Sequence, residues 1–315
     1  CWRRRRECRS NKHSAGGRRI WNQMSREYWY FLGGMAIVLL PLFGYLAYQK
    51  SGLVLGRPDR VVSYREVDGH TLKLHIFEPD GKHSGAAVPA LLLFHGGAWQ
   101  YGDPRQFYPQ CQHFSQRGLT CISAQYRIES DHGTDPRAAI QDARAALAYL
   151  HRHAQSLGID AQRIAVGGGS AGGHLAASLG VSLPLPGETA DATPAIRPGA
   201  LILYNPMLDL APCRPDHHLV AAYWQDVSPM HHIDAEVPPT LILLGTDDPE
   251  VPVPTARAFC GAMQALGATC ELELYEGARH GFFNQRVEEG RYFTATNERV
   301  MRFLGDLGYA PVAGS

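Results

Sequence analysis

The sequence has no excess of either charge, because 30 lysine and arginine residues balance 30 aspartate and glutamate residues. A chain without net charge gives no indication of the basic surface that binds nucleic acid. The sequence also lacks a long low-complexity tract and an evident internal repeat. With 45% apolar and 19% charged residues over 315 positions, it has the composition of an ordinary globular protein.

A glycine cluster around Ser170 lacks the residues that two phosphate-binding interpretations require. The stretch 163–174, RIAVGGGSAGGH, contains G-x-G-x-x-G between an apparent strand and an apparent helix, as dinucleotide-binding loops do. An acidic residue should then end the next strand, but Glu188 and Asp191 stand in a proline-rich loop instead. A phosphate-binding loop of the Walker type needs a lysine, and this stretch has none. Both interpretations are therefore disfavoured.

Metal-ligand spacing is also absent. Two histidine pairs, at 217–218 and 231–232, have no accompanying ligands at a recognised spacing. We interpret them as loop histidines. The sequence predicts neither a metal ion nor an organic cofactor.

The first 49 residues differ from the rest of the chain. Residues 1–27 hold nine basic residues against two glutamates, and residues 28–49 carry no charge. As a helix, this uncharged run would extend about 33 Å, which is enough to cross a bilayer. Aromatic residues at both of its ends suit the membrane interface. We therefore expect a basic tail over 1–27, a single transmembrane anchor over 28–49 and a linker over 50–60.

Two alternatives to a retained anchor stay open, a buried helix and the apolar region of a cleaved signal peptide. A signal peptide has a shorter apolar run and an A-x-A-like cleavage site, which this run lacks. The basic tail predicts that the domain after the span is extracytoplasmic, with a secreted or periplasmic protein as the alternative. If Met24 is the true start, only Arg26 precedes the span, and this orientation weakens or reverses.

Strands alternate with helices over residues 61–310, which predicts one α/β domain with a mostly parallel sheet flanked by helices. A turn at Asp68-Gly69 joins the first two strands. The continuous apolar run PALLLF is typical of a strand buried on both faces. Residues 210–237 form an irregular segment. The predicted strands are 61–67, 71–80, 89–97, 120–128, 163–168, 200–206, 240–245 and 270–277, and the predicted helices are 105–117, 135–155, 171–181, 253–267 and 291–307.

Four cysteines form two similar pairs, Cys111 with Cys121 and Cys260 with Cys270. In each pair the residues are ten apart, and an apparent helix leads to an apparent strand. Either pair could be bridged if the domain is exported. We favour the simpler interpretation, in which they are free thiols of the core.

The glycine cluster also fits G-x-S-x-G, the sharp strand-to-helix turn that exposes a nucleophilic serine. This turn requires an acid and then a histidine further along the chain. Candidates follow two later apolar strands, with Asp247 or Asp248 after TLILLG and His280 after LELYEGAR. Upstream, PALLLF runs into HGGAW at 95–99, which is similar to loops that supply backbone N–H groups to an oxyanion. Together these four pieces, in the required order, predict a serine hydrolase.

On these residues the sequence resembles the α/β-hydrolase serine esterases, in the branch related to hormone-sensitive lipase and bacterial acetyl and acetyl-xylan esterases. The resemblance covers about 85–308 and includes HGGAW, DPRAAIQDARAALAYL, GIDAQRIAVGGGSAGGHLAASL, GTDDPEVPVPTA and LYEGARHGFF. It implies Ser170 as nucleophile, Asp248 rather than Asp247 as acid and His280 as base. It implies an oxyanion hole formed by the N–H groups of Gly97, Ala98 and Ala171, with Gly96 nearby.

Two departures from the family affect the expected function. Ala98 stands where many members have a third glycine, and HGG-x-W also occurs in arylformamidase-like members. The residues before HGG read as strands, so we expect no N-terminal helical cap and a site that is open except for 210–237. The candidate substrate-binding walls are Trp99, His174, Tyr204 and Trp224.

The resulting hypothesis is a serine carboxylesterase for short-chain acyl esters, above all acetyl esters and including those of carbohydrates. The expected partners are a small-molecule or carbohydrate ester and the bilayer around 28–49. The alternatives are an arylformamidase-like amide hydrolase, a small serine peptidase, and a non-catalytic binding module on the same fold.

Overall fold

Eight strands form a single sheet in the computed structural model, which describes residues 56–80, 87–183 and 196–309. The strand order is β1-β2-β4-β3-β5-β6-β7-β8. The hairpin strands β1 and β2 are antiparallel to each other, β2 is antiparallel to β4, and the other neighbours are parallel. The strands are β1 Arg60–Val67, β2 His70–Phe77, β3 Val88–Phe94, β4 Thr120–Ala124, β5 Ile159–Gly169, β6 Ala200–Tyr204, β7 Thr240–Gly245 and β8 Cys270–Tyr275.

The helices of the described residues lie on both faces of the sheet. They are α1 Tyr108–Ser115, α2 Glu129–His132, α3 Pro136–Arg152, α4 Ala154–Leu157, α5 Ala171–Gly180, α6 His217–Val220, α7 Trp224–Val227, α8 Val253–Ala265 and α9 Phe293–Asp306, with 3-10 turns at Pro104–Phe107, Pro229–His231 and Val287–Gly290. The longest, α3, begins with Asp135, whose carboxylate accepts the N–H of Arg137, and with Pro136 in its first turn. This local chemistry is why its start is readable from the sequence.

The core consists of two apolar layers separated by the sheet. Alternate residues of a central strand face opposite layers, so that Leu203 packs with α3, α5 and α8, whereas Ile202 packs with α1 and α9. Strands β3, β6 and β7 are buried along nearly their whole length. This double burial explains why their sequences are continuous apolar runs without alternation. The prediction of an α/β domain with a mostly parallel sheet is confirmed.

Two elements differ from the prediction. Strand β4 ends at Ala124 and not at Ile128, because the buried Asp142 of α3 accepts the backbone N–H and the Nε–H of Arg127, both at 2.9 Å. Gln125 still donates its N–H to the Lys73 carbonyl of β2 at 2.9 Å, but the charged hydrogen bonds hold Arg127 against α3 instead of the sheet. The segment 210–237, expected to be irregular, contains the short helices α6 and α7 and one 3-10 turn.

The expectation of free core thiols is wrong for both cysteine pairs. Cys111 of α1 is bridged to Cys121 of β4, and Cys260 of α8 is bridged to Cys270 of β8. The reason is geometric, because each short helix-to-strand connection brings the two Cα atoms to 4.9 Å and 5.2 Å, within the span of a disulfide. Among the described residues, Cys213 is free and exposed.

The predicted tail over 1–27 and the predicted anchor over 28–49 lie outside the described residues, as does most of the linker over 50–60. Within 56–80, 87–183 and 196–309, no helix is both long enough and apolar enough to cross a bilayer.

Candidate active site

Ser170 occupies a sharp turn between β5 and α5. Its backbone has φ 54° and ψ −116°, a conformation that non-glycine residues rarely adopt, and its N–H donates to the Tyr204 carbonyl at 2.9 Å. The flanking glycines are required because the turn brings chain segments into contact. A Cβ on Gly172 would lie 2.0 Å from the Phe94 carbonyl oxygen, and one on Gly168 would lie 2.4 Å from the Gly172 backbone. The G-x-S-x-G prediction therefore corresponds to a real close approach.

His280 and Asp248 complete a chain of hydrogen bonds to this serine. The Oγ of Ser170 is 2.9 Å from Nε2 of His280, and Nδ1 of the same ring is 2.8 Å from Oδ2 of Asp248. Because a carboxylate can only accept, Nδ1 carries the ring proton and Nε2 is free to accept the serine hydroxyl. The side chain of Asp248 is fully buried, and its Oδ1 accepts the N–H groups of Glu250 and Val251. The structure thus brings together the three residues predicted as nucleophile, acid and base.

The choice between the two neighbouring aspartates is settled by their side chains. Asp247 is exposed, and its backbone N–H pairs with the Ala278 carbonyl at 3.1 Å. Asp248, one residue further, points inward to the imidazole. A one-residue offset reverses the side-chain direction where the chain leaves β7, so only the second aspartate reaches the site.

The carboxyl ends of three strands supply these groups. Ser170 follows β5, Asp248 follows β7 by three residues and His280 follows β8 by five residues. In an open parallel sheet all such ends lie at one edge, which is where ligands bind. The topology therefore positions residues that are 110 positions apart in the sequence.

The electrostatic surroundings of His280 are acidic. Burial of the ring by itself lowers the pKa of His280, but the hydrogen bond and charge of Asp248, with smaller contributions from Glu250 and Asp216, outweigh burial and raise that pKa above its ordinary value. A higher pKa makes the imidazole a stronger base. The acidic groups that raise it also stabilise the imidazolium that forms when the ring accepts the serine proton.

The loop after β3 presents unused backbone N–H groups beside Ser170. Gly97 has φ 125°, and a Cβ there would lie 1.9 Å from the Tyr101 carbonyl oxygen. Ala98 follows with φ 52°, in the left-handed region that a residue with a Cβ can adopt at some cost. Within the described part of the chain, the N–H groups of Gly97 and Ala98 donate to no protein acceptor. The backbone N–H donor is therefore still available although this chain has Ala98 where many family members have glycine.

One predicted oxyanion residue needs correction. The N–H of Gly96 donates to Oε1 of Gln106 at 2.7 Å, so Gly96 has no donor left for a substrate. Ala171 retains its predicted position, because it is the first residue of α5 and helix geometry leaves its N–H without an intrahelical acceptor. The available donors are therefore those of Gly97, Ala98 and Ala171.

Ser170, His280, Gly97 and Ala98 line a cavity of about 420 Å³. Five glycines and Ala98 line much of the wall, together with Tyr101 and Phe283. Its polar side chains are Asp103, Gln106, Ser170, Asn205, Glu250 and His280. Asp103 is paired with the neighbouring guanidinium of Arg105. The lining is thus partly apolar, and its carboxylates are those of Asp103 and Glu250.

The four predicted substrate-binding walls do not line this cavity. Trp99 and His174 are buried and pack edge to face, because φ 59° at Trp99 turns the indole into the core. Tyr204 is buried between Phe107 and Phe283. Trp224 packs in the 210–237 segment against His217 and His231. These aromatic residues support neighbouring elements and do not contact the cavity.

His174 has a structural contact that the sequence did not reveal. Its Nε2 is 2.7 Å from the Val227 carbonyl, so the ring ties α5 to the 210–237 segment. Burial lowers the pKa of His174 to about 4, which keeps the ring neutral.

Three of the cavity residues that sequence reasoning missed contact His280 or the loop after β3. Asn205 follows β6 directly, and its amide lies 3.3 Å from Nε2 of His280 while its Oδ1 accepts the Gly281 N–H. Its place after an apolar strand was a usable signal, because the same rule found the triad. Glu250 stands two residues after the acid and also reaches His280. Gln106 has no sequence signal, because only the folded loop places it beside Gly96.

Among residues 56–80, 87–183 and 196–309, no group of three or more histidine, cysteine or acidic side chains is arranged to hold a metal ion. The histidines at 217–218 and 231–232 bond instead to nearby loop groups. For example, Nδ1 of His217 contacts the Leu210 carbonyl at 2.8 Å.

The chain is similar to known esterases of the alpha/beta hydrolase fold. A family model described as alpha/beta hydrolase fold matches residues 91–284. Esterase LipQ of Mycobacterium tuberculosis is 31% identical over 245 residues, which is 70% of this chain and 56% of that protein. Ethyl acetate hydrolase of Pseudomonas putida is 32% identical over 173 residues, covering 53% of this chain and 52% of that protein. The chain spans about half the length of the curated relatives it matches.

Solved structures are similar over more of their length. The native thermophilic esterase Est2 of Thermogutta terrifontis is 37% identical with a TM-score of 0.74, covering 81% of this chain and 95% of that chain. Its butyrate-bound form has 38% identity and a TM-score of 0.75, with 81% and 96% covered. The same enzyme phosphorylated by paraoxon has 39% identity, a TM-score of 0.73 and the same coverage.

Proposed function

This chain belongs to the alpha/beta hydrolase fold family, and on that basis we propose that it is a carboxylic ester hydrolase that forms an acyl-enzyme on Ser170. The observation that carries the proposal is the continuous contact from Ser170 through His280 to Asp248, next to the unused N–H groups of Gly97 and Ala98. A nucleophile, a base, its orienting acid and an oxyanion site are the parts that acyl transfer needs.

The first half-reaction acylates the serine. Oγ of Ser170 bonds to the ester carbonyl carbon while its proton passes to Nε2 of His280. The carbonyl oxygen becomes an oxyanion held by the N–H groups of Gly97, Ala98 and Ala171, and one such donor is worth about 2.7–4 kcal/mol in another serine hydrolase. The bond to the alcohol oxygen then breaks, and Nε2 returns its proton to that oxygen.

Water completes the cycle. It gives one proton to Nε2 and adds its oxygen to the acyl carbon, after which Oγ leaves and takes the proton back. Asp248 holds the ring in the tautomer with Nδ1–H throughout, and it stabilises the imidazolium without itself accepting the proton. No step needs a group from outside the chain except substrate and water.

The preferred substrates are short acyl esters, above all acetyl esters, including those carried by carbohydrates. The small cavity, with Phe283 and the glycine backbone around Ser170, supports a short acyl group. The names of two similar proteins point the same way, because one is an ethyl acetate hydrolase and the other was solved with butyrate. Nitrophenyl esters from acetyl to palmitoyl test this, with peak kcat/KM expected at acetyl to butyryl. A maximum at long chains would refute it.

The decisive experiment compares the wild-type chain with Ser170→Ala on nitrophenyl acetate, acetylated xylan and N-formylkynurenine. We expect the alanine variant to lose at least about 10³-fold in kcat on the ester. Hydrolysis unchanged in the variant would overturn the catalytic assignment. Faster turnover of N-formylkynurenine than of every ester would favour the amide hydrolase, and no turnover of any substrate would favour a binding module.

Organophosphate labelling gives a second, independent measurement. The similar Thermogutta esterase is phosphorylated by paraoxon. In this chain we expect Oγ of Ser170 to bond to phosphorus and nitrophenolate to leave, so that one equivalent of nitrophenolate appears per chain. Peptide mass spectrometry should locate the diethyl phosphate on Ser170, and Ser170→Ala should remain unlabelled.

We also propose that residues 28–49 anchor the chain in a membrane with the catalytic domain on the extracytoplasmic side. The uncharged run and the basic tail before it support this placement. The two disulfides support an oxidising compartment, where such bonds persist. Carbonate-washed membranes from cells that express the chain should retain it, and protease added outside should reach the domain. Release by carbonate would contradict the anchor, and protection from the protease would contradict the orientation.

A further inference from the structure

We propose that Glu250 is a second carboxylate of the catalytic histidine, acting on Nε2 of His280 while Asp248 acts on Nδ1. This inference rests on the proposed function, because it assigns a role within the same reaction. Oε2 of Glu250 lies 3.2 Å from Nε2, the nitrogen that exchanges its proton with Ser170. The imidazole therefore has a carboxylate at each of its two nitrogens.

The backbone of Glu250 fixes where its side chain starts. Its N–H donates to Oδ1 of Asp248 at 2.8 Å, and the next residue, Val251, donates to the same oxygen at 2.9 Å. The chain from Asp248 to Val251 thus turns around the Asp248 carboxylate. The carboxylate itself is half exposed, with 47% of the side chain accessible, so it can move away from the ring.

The contact depends on the protonation state of the ring. In the resting tautomer Nε2 carries a lone pair and accepts the Ser170 hydroxyl, and a second acceptor at 3.2 Å is then repelled. When Nε2 carries a proton, the same carboxylate attracts it. Glu250 therefore favours the imidazolium, which forms in the catalytic cycle when Ser170 gives up its proton and in the free enzyme at low pH. It transfers no proton and remains a carboxylate throughout.

Other groups around His280 set the background for this effect. Asp248 and Asp216 add negative charge from the β7 end and from the 210–237 segment, and both act in the same direction as Glu250. Asn205 acts the other way, because its amide N–H, 3.3 Å from Nε2, favours the neutral ring. Arg279 precedes the histidine and is exposed. Of these acidic groups, Glu250 is the one whose carboxylate contacts Nε2, whereas Asp248 contacts Nδ1.

Loss of the Glu250 charge should change two measurable quantities, the pKa of His280 and the pH-independent kcat/KM. Removing the charge of Glu250 lowers the pKa of His280, so the acid limb of kcat/KM moves to lower pH. It also removes a contact that is stronger in the transition state than in the ground state, so the pH-independent kcat/KM falls. For a half-exposed ion pair the expected loss is about 2- to 5-fold.

The experiment compares pH profiles of the full chain with those of Glu250→Gln, Glu250→Asp and the control Asp247→Asn. Asp247→Asn removes an equal charge three residues away in an exposed side chain. We expect Glu250→Gln to shift the acid limb downward, Glu250→Asp to stay between it and wild type, and Asp247→Asn to match wild type. Equal shifts in Glu250→Gln and Asp247→Asn, or no shift in Glu250→Gln, would overturn the proposal.

An NMR titration separates this proposal from the esterase assignment. The ring nitrogens of ¹⁵N-labelled His280 report its pKa whether or not the chain hydrolyses an ester. A lower pKa in Glu250→Gln than in wild type supports the contact even if Ser170→Ala shows that hydrolysis occurs elsewhere. An unchanged pKa refutes the contact even if the chain is an active esterase.

Discussion

The side-chain oxygen of Gln106 accepts the backbone N–H of Gly96 at 2.7 Å. This bond fixes the first glycine after β3 and so sets the direction of the next two N–H groups, those of Gly97 and Ala98. Gln106 lies within the 3-10 turn Pro104–Phe107, so this bond ties the loop after β3 to that turn. The donors are held in place before any substrate arrives, which is the arrangement that electrostatic catalysis needs.

We predict that Gln106→Met, which keeps the length of the side chain and removes the acceptor, lowers kcat by about 10-fold with little change in KM. The oxyanion develops on the way to the tetrahedral intermediate and is absent from the bound ester, so misplaced donors affect kcat. The variant should also lose about 1 kcal/mol of unfolding free energy, because the Gly96 N–H loses its partner. The exposed Gln162→Met is the control. If instead KM rises by about 10-fold and kcat is unchanged, Gln106 has no role in oxyanion binding.

Two glycine-to-alanine changes should differ in their effects, because one glycine is closely packed and the other is not. In Gly172→Ala the new methyl group would meet the Phe94 carbonyl oxygen at 2.0 Å, so the turn at Ser170 must shift. We expect at least about 100-fold lower kcat/KM, since misplacement by about 1 Å has that effect. In Gly261→Ala, within α8, nothing lies within 4 Å. This variant should keep its activity and gain roughly 0.5–1 kcal/mol of stability from helix propensity. Wild-type kcat/KM in Gly172→Ala would contradict the close packing of the turn.

The disulfides should stabilise the domain measurably. Each closes a loop of ten residues, so its loss in Cys260→Ala/Cys270→Ala should lower the unfolding free energy by about 2–3 kcal/mol. Urea denaturation with and without reductant measures this effect. Reductant should lower the unfolding free energy of the double variant less than that of the wild type, because the variant has one disulfide fewer to lose. Cys213→Ser is the control, because Cys213 is exposed and free. Equal stability of the double variant and wild type would indicate that the pair is not bridged in solution.

The buried His174 should make stability depend on acid. Burial lowers its pKa from an ordinary value of 6.5 to about 4, outweighing the opposite effect of the Val227 carbonyl. Between these two values the unfolded chain binds a proton that the folded chain does not. The unfolding free energy therefore rises with pH in this window, and it falls by about 3 kcal/mol as pH drops from 6.5 to 4.

We expect His174→Asn to be less stable at pH 7 and to have a shallower slope of stability over this window than wild type. His218→Asn, at an exposed position of the 210–237 segment, should keep the wild-type slope. Urea unfolding at intervals of half a pH unit measures both. The same slope in all three proteins would show that His174 does not remain neutral in the fold.

Sequence reasoning found the parts of the site that depend on backbone topology. Ser170, Asp248 and His280 were placed together because each follows an apolar strand, and parallel strands end at one edge of a sheet. Asn205 obeys the same rule and was overlooked. The elbow glycines were readable because only a residue without a Cβ permits that close approach.

The parts that failed depend on where individual side chains and N–H groups point. Trp99 was expected in the cavity, but its positive φ turns the ring into the core beside His174. Gly96 was expected near the oxyanion, but its N–H is taken by Gln106. The disulfides depend on Cα distances that a spacing of ten residues leaves open. The anchor over 28–49 and the domain boundaries stay predictions.

The parallel order of the sheet also has a consequence for refolding. Ser170 and His280 meet across 110 residues, and neither can be positioned until β6 and β7 have formed between their strands. Pairings at such sequence separation form slowly and late. Recovery of hydrolysis after dilution from urea should therefore lag behind recovery of helical structure, so that enzyme activity reports completion of the whole domain.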